Sequence, residues 1–216
     1  MDPSLCMRAY KFLNAHFGLK SLYEKRLKIS RLDELNDPFE LMPFDLSDRG
    51  RRCAIRETTK ELGKKQGIIC FSAAWTDPVI WAHYSDKHRG LCLGFELVDG
   101  IGTRVNYVSD RLQLPEMPTL SDTKAMVFTK FKHWEYEQEI RAWVRLNDEE
   151  DGLYYYDFNN ELKIVAVITG ANCTVPRSAI TRALGADAQG VSLIKARAGF
   201  TRFEVVTDKR GFGATE

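Results

Sequence analysis

The chain is 216 residues long, and 31 lysines and arginines set against 30 aspartates and glutamates leave a formal net charge of +1. With 44% hydrophobic, 11% aromatic and 28% charged residues, its composition is that of a globular protein able to bury a core, far from that of a disordered segment. Near-neutrality argues against wholesale electrostatic binding to nucleic acid or to an anionic membrane, and leaves room for a local basic patch.

The first eight residues lack a basic stretch followed by an apolar core, so they do not read as a secretory signal. A strand is expected over 8–13, then a helix that Asn14 caps and that runs to about residue 25, then a strand over 26–30 in which Leu27 and Ile29 alternate with polar residues. Asn36-Asp37-Pro38 marks a turn within 35–40, because side chains that bond their own backbone meet a ring that fixes φ. A polar helix fits 50–65. It falls in the basic part of the chain, since residues 1–65 hold 14 basic and 10 acidic side chains, and a solvated face is the reading for it.

Residues 67–72 read as a buried strand, and Asp77-Pro78 as the start of a helix over 79–88 that Gly90 ends, followed by a strand over 91–96. Further strands fit 104–108, 139–145, 153–157, 162–169, 191–197 and 203–207, with helices over about 121–132 and 177–184. The longest uncharged apolar run, 164–171, is far shorter than the roughly 20 residues a membrane-spanning helix needs. No repeat or linker divides the chain. The expectation is one cytosolic domain over 1–216 with no membrane partner, of α+β class, with about five helices and a mixed, mostly antiparallel sheet, single or split.

Cys6, Cys53, Cys70, Cys92 and Cys173 are odd in number, widely spaced and without a C-x-x-C pair, which argues against a disulfide framework and a zinc site. His16, His83, His88 and His133 lack metal-ligand spacing, so no resident metal is expected, and no P-loop, G-x-G-x-x-G, H-E-x-x-H or G-x-S-x-G is present. The most informative stretch is 134–143. If it is extended, Glu135, Glu137, Glu139, Arg141 and Trp143 project to one side, and three like charges on one face need water, Arg141 or a ligand to compensate them. An exposed strand edge and a carboxylate-lined cleft are both open readings. In 81–90, Trp81, Tyr84 and His88 share a core-facing stripe, while His83 and Lys87 share another face that could line a pocket.

Tyr10-Lys11-Phe12 before a helix, Arg26 to Ser30, Leu35 to Glu40, Cys70-Phe71-Ser72, Trp81 to Tyr84, His88-Arg89-Gly90, Gly94-Phe95-Glu96 and Trp134-x-Tyr136-Glu137-x-Glu139-x-Arg141 together resemble a bacterial family catalogued as domain of unknown function 2971, over about residues 8–145. In the order of its strands and its late Glu-x-Glu the chain is also similar to the ADP-ribosyltransferase superfamily. That resemblance implies NAD as substrate, Glu139 as the catalytic carboxylate that stabilises an oxocarbenium-like transition state, Glu137 as the first Glu of the pair, and Tyr84 as the residue that stacks on nicotinamide. The first-strand position would be Tyr10 or Lys11, a departure from the superfamily's His or Arg. Asn36, Ser72, His83 and Arg141 complete the expected cofactor-binding set. The implied function is modification of nucleic acid or protein, in a toxin or phage-defence setting. Two alternatives are a non-catalytic module binding a nucleotide or small anion through Lys11, Asn36, Arg89 and Arg141, and a divalent-ion nuclease built on Asp37, Glu40, Glu137 and Glu139.

Overall fold

The computed structural model describes residues 6–35 and 37–212; Asn36, one of the expected ligand residues, lies outside them. In chain order the elements are β1 (Cys6–Leu13), α1 (Ala15–Glu24), β2 (Arg26–Arg31), α2 (Arg49–Gly63), β3 (Gln66–Ser72), α3 (Pro78–Tyr84), β4 (Leu91–Val98), β5 (Gly102–Arg104), β6 (Asn106–Val108), α4 (Leu120–Phe128), β7 (Thr129–Phe131), β8 (Glu139–Arg145), β9 (Glu149–Glu150), β10 (Leu153–Asp157), β11 (Leu162–Thr169), α5 (Arg177–Leu184), β12 (Ser192–Ala198) and β13 (Val205–Thr207). The strands other than β6 and β7 hydrogen-bond in a mixed, mostly antiparallel pattern, and the fold is α+β. Among the described residues no helix is long and apolar enough to cross a membrane.

The described residues form two compact units, one within 6–27, 71–101 and 156–212, the other within 28–35, 37–70 and 102–155. The divisions fall inside β2, β3 and β10, so each of these strands gives residues to both units.

In the first unit, β4 lies between β1 and β11, antiparallel to each, and β11, α5 and β12 form a parallel crossover that β13 extends. The strand β4 is buried on both faces, which is why 91–97 reads as a nearly continuous apolar run. Asn14 caps α1 as its residue type demands, its Oδ1 accepting from the Phe17 N–H at 2.8 Å. Trp81 is fully buried, edge-on to Phe12 at 5.0 Å and stacked on His88, and its Nε1 donates to the Trp75 carbonyl at 2.6 Å.

The helix expected to reach residue 88 stops at Tyr84. Asp86, Lys87 and His88 all take positive φ, and this left-handed run turns the chain so that the buried Ser85 hydroxyl can donate to the Leu13 and Leu91 carbonyls. The same turn sets Gly90 against the backbone of Leu13 and Asn14, where no Cβ fits.

The second unit pairs β2 with β3 and β5 with β8 in antiparallel fashion, and β6 with β7 in parallel. One strand was expected over 104–108. The chain instead breaks at Val105, whose N–H donates to the Glu139 carbonyl, and this directs β5 to β8 and β6 to β7. Likewise the helix expected to reach residue 132 ends at Phe128, because Thr129, Lys130 and Phe131 pair in extended form with Asn106, Tyr107 and Val108. Two apolar clusters support this unit, one of Leu32, Leu41, Ile68 and Val127, the other of Phe44, Ile55, Leu114 and Met126.

Because the obstruction at Gly90 is backbone and not a movable side-chain tip, Gly90→Ala should lower the unfolding free energy by about 1–3 kcal/mol. Urea unfolding of the variant beside the wild type checks this.

Candidate functional site

The second unit gathers five charged side chains out of solvent: Glu40, Lys130, Glu137, Glu139 and Arg141. Arg141 is the most enclosed, with 1% of its surface exposed. It sits on β8 opposite Thr103 of β5. Its Nε donates to Glu139 Oε1 at 2.8 Å, its Nη2 to Glu139 Oε2 at 3.0 Å and to both Glu40 oxygens at 3.0 and 2.9 Å, and its Nη1 to the Val127 carbonyl. Planar, forked donors fit two carboxylates at once in a way an ammonium cannot.

Lys130 completes the cluster. Its Nζ donates to Glu137 Oε2 at 2.6 Å and to Glu139 Oε2 at 3.2 Å, lies 3.3 Å from Glu40 Oε1, and sits over the Trp134 ring, 4.7 Å from its centroid. Three carboxylates therefore converge on one lysine nitrogen.

Each side chain reaches the cluster by a local device. Glu40 is delivered by the turn that Asp37 and Pro38 announce in the sequence: Asp37 Oδ1 accepts from the Phe39 N–H at 2.9 Å, and Leu41 adopts positive φ. The loop after it is fastened by Arg111, whose Nη1 donates to the Met42 and Phe44 carbonyls, and by two backbone bonds, the Asp45 N–H to the Leu112 carbonyl and the Leu112 N–H to the Pro43 carbonyl. Lys130 and Tyr107 are direct partners across the β6–β7 pair, and the Tyr107 hydroxyl accepts from the Glu139 N–H at 2.8 Å.

The expected extended run through 135–141 is a correction. Lys132–Glu137 is a 3-10 helix, Gln138 takes left-handed φ, and the strand begins only at Glu139. The single left-handed residue brings Glu137 and Glu139 to the same lysine, a juxtaposition the expectation of strand alternation reached by a different geometry. Glu135 stays exposed, whereas Glu137 and Glu139 are buried, so the exposed-edge reading of these two residues does not hold.

The electrostatics follow from this enclosure. Burial acts to raise the Glu139 carboxyl, but the charge and hydrogen bonds of Arg141, then Lys130 and the Cys70 thiol, outweigh it and hold the group down at about 2. Burial acts to lower Lys130 and Arg141, and the surrounding carboxylates overcome it, so both are raised and stay charged. The Tyr107 phenol, with burial as the main cause, is pushed up to about 12 and stays protonated. Two cations against three carboxylates give these five side chains a formal sum of −1.

Glu40 contributes to the wall of a cavity of about 530 Å3, together with Arg31, Arg56, Thr59 and Lys60. A second cavity of about 260 Å3, lined by Phe39, Val108, Thr129, Lys130 and Phe131, adjoins the β6–β7 pair.

Of the expected site residues, Glu137, Glu139 and Arg141 come together here, with Glu40 from the nuclease alternative. Tyr10, Lys11, Ser72, His83, Tyr84 and Arg89 belong to the first unit. There, register sets Tyr10 opposite Ser72 and Gly94; the Ser72 hydroxyl donates to the Ala74 carbonyl and accepts from the Ala74 N–H; His83 is exposed on α3 with its ring against Tyr84; and Arg89 pairs with Asp86 at 2.9 Å. Arg141 is committed to Glu139 and Glu40, which removes it as a surface anion ligand. The carboxylates a divalent ion would need are gathered around Lys130 Nζ, and among the described residues no group of three His, Cys, Asp or Glu is disposed to hold a metal.

Lys130 and Tyr107 were not anticipated. The signal for Lys130 was the charge imbalance itself: three glutamates beside one arginine call for a second cation. Comparison of the chain with models of known protein families, with curated proteins and with solved structures finds no match.

Glu139→Gln would break the buried ion pair in which Arg141 donates to both Glu139 oxygens and Lys130 to one of them, at a cost of about 3–5 kcal/mol in stability. A carboxyl held below its ordinary value of 4.5 contributes stability above that pH, and the contribution is lost as pH falls toward about 2. Urea midpoints measured from pH 7 to pH 2 should therefore drop through this window in the wild type, and less steeply in the Gln variant.

Proposed function

We propose that the chain is an NAD-using enzyme of the ADP-ribosyltransferase type, with the chemistry carried by the cluster around Glu139. The observation behind this reading is a water-excluded group of carboxylates with a formal charge of −1, in which Glu139 is held ionised by Arg141 and Lys130. Such a group favours a cation that develops beside it, because its charges are fixed before the reaction and need no reorganisation during it.

In the reaction proposed, the bond between the ribose C1′ and the nicotinamide nitrogen breaks. The electron pair leaves with nicotinamide, which becomes neutral. The cation left on the ribose ring lies next to the carboxylates until a nucleophile of an acceptor, or water, bonds to C1′ and loses its proton. Glu139 supplies the fixed negative charge, Glu137 a second carboxylate on the same lysine, and Arg141, Glu40 and Lys130 hold both in place. The cavity walled by Glu40 is the side from which substrate approaches.

The test is release of nicotinamide from NAD by the purified chain, alone and with nucleic-acid and protein acceptors. Glu137→Gln and Glu139→Gln should each lower the rate about 100-fold or more, the scale on which a fixed electrostatic partner of a transition state acts. Glu139→Asp, which keeps the charge and retracts it, should be slow while retaining more of the stability. Wild-type turnover in a folded Glu139→Gln variant, or no nicotinamide release under any acceptor, defeats the reading. Thermal stabilisation by NAD without release would instead favour the non-catalytic nucleotide-binding module.

A further inference from the structure

We infer that the cavity beside α2 is a diphosphate-binding site, with Arg56, Thr59 and Lys60 as its ligands. These three residues stand at i, i+3 and i+4 on α2, so they share one helical face, and all three line the cavity of about 530 Å3. The helix is anchored next to this face by Ile55, which also lines the cavity and is buried against Phe44, Leu114 and Met126, so the face is presented by a fixed scaffold.

The charge pattern around the cavity separates these residues from their neighbours. Arg31 is paired with Asp33 at 3.2 Å and Lys64 with Glu61 at 2.6 Å. Asp37 has an oxygen on the Phe39 N–H, and Glu40 is held by Arg141 and Lys130. Among the described residues, the side chains of Arg56 and Lys60 have neither a hydrogen bond nor a carboxylate at ion-pair distance. Like charges one turn apart destabilise a helix unless an anion lies between them, and α2 carries five basic side chains against Glu57 and Glu61. An arginine fork and a lysine point charge about 5–6 Å apart at their roots, with a threonine hydroxyl between, match two linked phosphates, each cation taking one.

Glu40 sets the direction in which such a ligand lies. Glu40 lines the same cavity while its carboxylate is held inward by Arg141 and Lys130, so the phosphates are assigned to the Arg56 and Lys60 side and the neutral or cationic end of the molecule to the Glu40 side. This orientation rests on the glycosyl-transfer reading, in which that end is nicotinamide. The anion site itself stands on the unpaired cations alone.

The experiment is calorimetric titration of inorganic pyrophosphate and of ADP-ribose into the wild type, the double variant Arg56→Ala/Lys60→Ala, and a control, Arg202→Ala/Lys209→Ala, that removes the same charge from exposed positions in the other unit. Binding by wild type and control, weakened at least tenfold in the α2 variant, is the expected result. No pyrophosphate binding, or equal binding by all three proteins, overturns the inference; so does an oligonucleotide that depends on Arg56 and Lys60 when pyrophosphate does not bind. The two readings separate cleanly. Pyrophosphate binding without nicotinamide release leaves the anion site and removes the enzyme, whereas nicotinamide release with an unchanged KM in the α2 variant leaves the enzyme and removes the anion site.

Discussion

A guanidinium with 1% of its surface exposed can stay charged only if nearly every direction around it is answered by an acceptor, and the second unit is arranged to do that for Arg141. Its donors meet Glu139 from its own strand, Glu40 from a loop a hundred residues earlier, and the carbonyl of Val127 at the end of α4. Three segments remote in sequence are thereby held to one point. Lys130 then binds the two carboxylates that Arg141 holds and adds Glu137 to them. Removing either cation leaves buried carboxylates without a partner, and that shared dependence makes the cluster cooperative.

The surrounding backbone is best understood as the means of meeting this demand. Tyr107, Lys130 and Glu139 are fixed together because β6 and β7 pair in register and the phenol hydroxyl takes the N–H at the start of β8. Left-handed φ at Gln138 and Leu41 occurs where the chain must reverse within a residue or two, beside Glu137 and Glu40. Such conformations are costly for non-glycine residues, and they persist where the surrounding contacts over-determine them. Both flank the ion cluster.

Much of the first unit could be read from sequence. Leu162–Thr169 and Arg177–Leu184 fall where apolar runs and the preceding Pro176 place them, and Asn14 caps α1 by the chemistry of its side chain. The misreadings share one cause, a tertiary contact overriding a local pattern. Residues 129–131 carry no local mark of a strand, but pairing with 106–108 draws them out of the helix. Residues 85–90 continue a helical pattern, but the Ser85 hydroxyl and the close approach at Gly90 require left-handed backbone. At the site, Glu137, Glu139 and Arg141 were visible as an excess of carboxylate in one short stretch. Lys130 was not, because nothing in a lysine's neighbours says that its ammonium is buried; only the sum of charges in the finished cluster says so.

Well-packed apolar side chains of similar volume commonly match or exceed the stability of a buried ion network, so the cluster is poorly explained as a device for stability alone. Its composition points the same way. A network built only to hold elements together would serve best at neutrality, with every carboxylate matched by a cation. Here three carboxylates share two cations, and Glu40 also borders a cavity that Arg56 and Lys60 line. Under the proposed reading, one ligand with a cationic end and an anionic middle answers both the excess of carboxylate and the cations of α2.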